Sequence, residues 1–138
     1  MEVNFAFLCD YADRSGGKIT AVGIGFDTIY AVNIPARRPL FFSVISIKFS
    51  ATEAGPKQVG MHIIDADGKN VLPPLDTTIN VGPPAPGLLY SNQQIALAMH
   101  GVTFPHYGDY TVSWLVAGQE IKAIPLKVAS PPVPPTTA

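Results

Sequence analysis

Hydrophobic and polar residues alternate along most of the chain, and this period of two is typical of β-strands with one buried face. The strongest example is residues 40–50, in which one parity holds Phe41, Ile45, Ile47 and Phe49. We expect these side chains to face a core. The runs that predict strands are residues 3–11, 19–30, 40–50, 58–65, 77–81, 93–104, 109–116 and 120–128.

Turn residues separate these runs. Gly16–Gly17, Asp67–Gly68 and Ala117–Gly118 provide the glycines that tight hairpin turns need. No segment combines an apolar period of 3.6 with helix caps, so almost no helix is expected. The pattern predicts an all-β domain over residues 1–129, a two-sheet antiparallel immunoglobulin-like sandwich of about seven to nine strands. The Pro-rich residues 130–138 are expected to be extended or disordered.

A short motif supports this topology. Gly108-Asp109-Tyr110 enters the penultimate strand and resembles the Gly-x-Tyr corner of immunoglobulin-like domains. In those domains the tyrosine hydroxyl bonds back to the preceding corner backbone, which implies that role for Tyr110. Trp114 lies on the same face two pleats further along and is expected in the core. The paired cysteines of those domains are absent, and the motif leaves the strand order open.

Composition excludes several classes of protein. Only 14% of the residues are charged and the formal net charge is −1, whereas 47% are hydrophobic, which argues against disorder. Cys9 is the single cysteine, so a disulfide scaffold is excluded and a reducing compartment is favoured. Nine scattered basic residues do not predict binding to nucleic acid. No membrane-spanning run or secretory signal is evident, and we expect a cytoplasmic protein.

Three further segments carry a resemblance at the level of a family. They are Asn4–Ala12, Gly23–Ile29 and Ile64–Gly68. With them the chain is similar, over about residues 2–128, to a group of small bacterial proteins known only as a domain of unknown function. The resemblance implies a bacterial origin and an all-β domain. It supplies no catalytic or binding residues.

Few residues suggest chemistry. Asp65-x-Asp67-Gly68 is the nearest approach to a metal motif, but the spacing is that of an aspartate-rich hairpin turn rather than a calcium loop. The histidines, His62, His100 and His106, lack the spacing of metal ligands. Cys9 shares the apolar parity of its strand and is expected to be inert. We therefore predict no catalytic residue, metal or cofactor. The alternative is a small-ligand or metal-dependent enzyme or binder in which His62, Asp65 and Asp67 converge.

The distribution of charge is the most informative feature. Residues 77–108 carry no formal charge. Such a stretch either contacts a partner or is covered by its own Pro-rich loop. The first interpretation predicts a non-catalytic protein-binding or assembly module, a homo-oligomer or a protein docked on another. Its candidate interface consists of apolar anchors and residues of the adjoining strand: Leu88, Leu89, Tyr90, Ala96, Ala98 and His100.

Overall fold

The computed structural model describes residues 1–132. These residues form ten β-strands and one 3₁₀ turn at Ala51–Glu53, which confirms the all-β prediction. The strands are β1 (Glu2–Cys9), β2 (Tyr11–Ser15), β3 (Lys18–Val22), β4 (Thr28–Tyr30), β5 (Ala36–Ser50), β6 (Gly55–Asp65), β7 (Leu75–Val81), β8 (Tyr90–Phe104), β9 (Gly108–Val116) and β10 (Gln119–Ala129).

The strands are arranged in three sheets. One has the order β1-β5-β8, a second has the order β4-β10-β9-β6-β7, and β2 and β3 form a separate hairpin. The neighbouring strands are antiparallel except for β4, which runs parallel to the end of β10. The expectation of a purely antiparallel arrangement was therefore wrong at β4. The two larger sheets contribute side chains to one shared hydrophobic core.

Ten strands exceed the about seven to nine expected from turn spacing, because two predicted strands are each divided in the structure. Residues 19–30 break at Gly23 and Gly25, whose φ angles of 70° and 87° leave the extended region. Residues 3–11 break between β1 and β2. A further prediction fails after Asp67–Gly68, where only an isolated bridge between Ile64 and Asn70 forms.

The core follows the parity read from β5. Phe41, Ile45, Ile47 and Phe49 are all fully buried, as predicted. Trp114 on β9 is also in the core, and its indole N–H donates a 2.9 Å hydrogen bond to the buried Ser43 hydroxyl. A buried indole N–H needs an acceptor, so the serine is the polar residue that this core position requires.

The opposite face of β5 is also covered. Phe42 and Val44 pack there with Cys9 and Ala12 in a second apolar cluster. Ala12 belongs to the hairpin β2–β3, which lies over this outer face. The predicted common face of β1 is interrupted, because a bulge between Val3 and Phe5 places Val3 against the main core while Cys9 stays in the second cluster.

The hydrogen bond predicted for the tyrosine corner is present. The Tyr110 hydroxyl donates to the carbonyl oxygen of His106 at 2.7 Å, at the start of β9. Tyr110 itself is buried. At the other end of the chain, residues 130–132 have no secondary structure, and the rest of the predicted tail lies outside the described residues.

Candidate interaction surface

Two strand edges lie on the same side of the molecule. β8 ends the sheet β1-β5-β8, and β7 ends the five-stranded sheet. Residues of both strands line a single cavity between the sheets. Among residues 1–132, no strand pairs with the outer side of either β7 or β8. This side is therefore an open seam between the two sheets.

The two edges differ in length and in charge. β7 has seven residues and includes the charged Asp76. A short edge strand that carries a charge is one of the ways in which natural sheets discourage edge-to-edge pairing. β8 has fifteen residues without one formal charge, and along its length it pairs only with β5. A long, uncharged edge strand offers its free N–H and C=O groups to another strand. The edge of β8 is therefore the unprotected one.

Burial decreases from β5 to β8 on the core side. Ile45 of β5 is fully buried, but its neighbour Ile95 on β8 is only half-buried. The same contrast separates Ser43 of β5 from Leu97 of β8. Because the sheet ends at β8, no strand of residues 1–132 covers the edge side of these two apolar side chains. A further strand alongside β8 would complete their burial.

The cavity at the seam has a volume of about 180 Å³. Its walls are almost entirely apolar and include the buried Trp114. Asp76 also lines it, and its carboxylate approaches Gly60 of the neighbouring strand. The lining residues are Val59, Gly60, Met61, Leu75, Asp76, Thr77, Ile95, Leu97 and Trp114. Such a site suits an apolar group rather than a charged ligand.

The six residues of the predicted interface divide into two groups. Leu88, Leu89 and Tyr90 at the start of β8 are exposed by 62%, 77% and 50%, and His100 is also exposed. The ammonium group of Lys48 lies 5.1 Å from the centroid of the Tyr90 ring. These four side chains are free to contact a partner.

Ala96 and Ala98 are placed differently. They are half-buried and pack against the second apolar cluster, which the hairpin β2–β3 covers. The sequence offered two covers for this part of the uncharged stretch, a Pro-rich loop or another subunit. In the structure the cover is the first hairpin of the chain. The small side chains of Ala96 and Ala98 leave room for it.

Asp65 belongs to the alternative ligand site, but its carboxylate is hydrogen-bonded within its own turn. Its carboxylate accepts 2.9 Å hydrogen bonds from the backbone N–H groups of Asp67 and Lys69. The Lys69 hydrogen bond is the main reason that the pKa of this carboxyl lies below its ordinary value; desolvation opposes the shift. His62 belongs to the opposite parity of β6. Residues 1–132 contain no group of three side chains suited to hold a metal.

One polar cluster was not anticipated. The His106 ring stacks on Tyr110 with 5.5 Å between centroids, and its Nε2 lies 3.5 Å from the Asp65 carboxylate. Its Nδ1 is 3.2 Å from the Tyr110 hydroxyl. The Gly-x-Tyr motif signalled the tyrosine, but nothing in the sequence linked Asp65 to His106, which are 41 positions apart. The contacts lock the corner before β9 to the end of β6.

No helix in the described part of the chain is long and apolar enough to cross a membrane. Comparison with curated proteins gives no match to the chain. A family model described as a family of unknown function, DUF6941, matches residues 4–129, which include all of β2 to β10 and most of β1. The chain therefore belongs to the DUF6941 family.

Proposed function

We propose that this protein is a non-catalytic assembly module that associates with a second copy of itself through the edge of β8. The observation that carries the proposal is the combination of a fifteen-residue unpaired edge with a stretch, residues 77–108, that has no formal charge. In a two-fold antiparallel contact a charge near the axis would face its own copy, which is a like charge. β8 is free of that penalty.

The exposed apolar residues next to β8 support the same proposal. Leu88 and Leu89 precede the strand, and Tyr90 begins it. Exposed apolar side chains beside a free edge provide the anchors that a protein interface needs. The alternative is that the same surface of β8 docks on a different protein.

Other features support a binding role rather than catalysis. Asp65 is satisfied by its own turn, and Cys9 is fully buried, where burial raises the pKa of its thiol. A thiol in that state is a poor nucleophile. The balance of nine basic and ten acidic residues supports a partner other than nucleic acid.

Further observations support the topology, the location and the source of the protein. The facing sheets and the Tyr110 hydrogen bond support an immunoglobulin-like sandwich topology. The lone thiol supports a cytoplasmic location away from membranes, and the resemblance of the three sequence segments supports a bacterial source.

The decisive experiment is a mass measurement by multi-angle light scattering and sedimentation velocity from 1 to 100 μM, a range on the order of the dissociation constants of transient assemblies. The expected result is a mass near twice 14.7 kDa at the upper end of this range. Leu89→Glu should return the mass to that of a monomer, because it places a charge beside the free edge.

Ile24→Glu is the matched control. Ile24 is an exposed aliphatic residue in a loop, and the neighbouring Gly25 N–H donates to the Leu8 carbonyl of β1. β1 lies on the far side of β5 from β8, so the new charge is remote from the proposed contact. This variant should keep the mass of the parent. A monomer at every concentration, or equal effects of both variants, would overturn the proposal.

A further inference from the structure

We infer that two β8 strands pair antiparallel about a two-fold axis at Leu97, so that each copy closes the cavity of the other. This inference rests on the proposed self-association and specifies its register. The pairing would join two three-stranded sheets into one of six strands, with the order β1-β5-β8-β8-β5-β1. The cavity at the seam would then be a site completed by the partner copy.

Parity on β8 selects the face that meets the cavity. Ile95, Leu97 and Met99 point to the core side, and the first two line the cavity. An added strand continues the pleat of the sheet, so its core-facing side chains extend the same apolar layer. A two-fold axis at Leu97 places the two Leu97 side chains together and each Ile95 beside a Met99 of the other copy.

The same register suits the other face of β8. It places Ala96 of each copy opposite Ala98 of the other, and these small side chains leave room for the two covering hairpins. It also places Gln94 opposite the exposed His100 of the second copy. The Gln94 side-chain oxygen is buried without a hydrogen-bond partner among the described residues. A turn of this amide toward the free edge would let its oxygen accept a hydrogen bond from the imidazole.

The strand pairing by itself makes a small contact. Gly101 has a φ of 62° and the core-facing parity of β8 changes there, so an axis at Leu97 pairs residues 94–100. Seven residues are about 23 Å long at about 3.3 Å per residue, and a sheet edge is about 10 Å thick. The pairing would bury about 450 Å² in total, less than the about 1,000 Å² of a specific interface. The contribution of Leu88, Leu89 and Tyr90 at the ends of the pair is therefore needed.

Cysteine cross-linking tests the register. Cys9 is the single native cysteine and is fully buried, so the parent protein provides a clean background. Leu97→Cys should form an intermolecular disulfide under mild oxidation, because the two Cβ atoms would lie about 5 Å apart. Asn92→Cys is the matched control on the same strand. Its two copies would be ten residues apart, about 33 Å, and should not cross-link.

A second pair of variants tests the register without altering the cavity. Gln94→Cys and His100→Cys should each give only background disulfide alone, since each residue would lie about 20 Å from its own copy. An equimolar mixture of the two should give a cross-linked heterodimer. A mass tag on one variant identifies this species on a non-reducing gel.

The outcomes separate the two proposals. A dimer by light scattering that cross-links through Asn92→Cys, or through none of these positions, overturns the register but leaves self-association in place. A monomer at all concentrations overturns both. Leu97 and Gln94/His100 cross-links together with a monomeric Leu89→Glu variant support both.

Discussion

The stability of the core offers a sharp test, because one of two buried serines has a hydrogen-bond partner and the other has none among the described residues. The Ser43 hydroxyl accepts the indole N–H of Trp114 at 2.9 Å, in the middle of the core. Ser113 precedes Trp114 on β9, and its hydroxyl is buried and has no hydrogen-bond partner among the described residues. The substitution to alanine therefore removes a needed acceptor at one site and an unsatisfied group at the other.

The expected effects have opposite signs. Ser43→Ala leaves a buried N–H unpaired, which costs about 1–3 kcal/mol of the free energy of unfolding. Ser113→Ala removes a hydroxyl whose burial without a partner is itself unfavourable, so its expected effect lies between neutral and about 1 kcal/mol stabilising. We expect the two variants to differ by about 2 kcal/mol. For a chain of this length that separation corresponds to about 7 °C in Tm.

Urea unfolding monitored by fluorescence is the natural assay, since Trp114 is the only tryptophan and lies at the site. The parent and both variants should be measured at one protein concentration, because self-association would stabilise the folded state. Equal m-values are required for the comparison. A Ser43→Ala variant as stable as the Ser113→Ala variant would refute the assignment of the indole hydrogen bond.

Three further predictions concern the corner and the thiol. Tyr110→Phe loses the 2.7 Å hydrogen bond to the His106 carbonyl and should lower the unfolding free energy by about 1–2 kcal/mol in urea titrations; an unchanged midpoint would contradict the role of the corner. The pKa of the Asp65 carboxyl is lowered in the folded state. The ionised carboxylate therefore stabilises the fold at pH values above the ordinary carboxyl pKa, and this stabilisation is lost as the pH falls from the ordinary pKa through the folded-state pKa. Asp65→Asn should therefore flatten the acid side of a Tm-against-pH curve, and a curve parallel to that of the parent would exclude this linkage. Burial raises the pKa of the Cys9 thiol, so a thiol reagent at pH 8 should react with it only after urea unfolding; rapid labelling of the native protein would show that the second cluster opens.

The local features of the fold were predictable from neighbouring residues. The alternation at residues 40–50 predicted which β5 side chains face the core. Tyr110 and Trp114 likewise predicted the buried face of β9. These predictions succeed because the period of a strand and the chemistry of a turn are properties of a few consecutive residues.

The candidate surface was only partly predictable. The absence of charge at residues 77–108 singled out the segment that contains β8, and the structure leaves Leu88, Leu89 and His100 exposed there. It could not indicate that Ala96 lies under the hairpin β2–β3, because an uncharged small residue is compatible with either a covered or an open surface. The cavity could not be predicted either, since its walls come from β6, β7, β8 and β9.

The sequence by itself determined that the chain forms β-strands, where the chain turns, and which segment lacks the charges that protect an edge. Only the tertiary structure decided that β8 rather than β5 is an edge, that β4 runs parallel to β10, and that Asp65 meets His106. The physical reason is the range of the interactions. Side-chain alternation is local, whereas strand order depends on which distant segments bury the most apolar surface together, and that competition involves the whole chain at once.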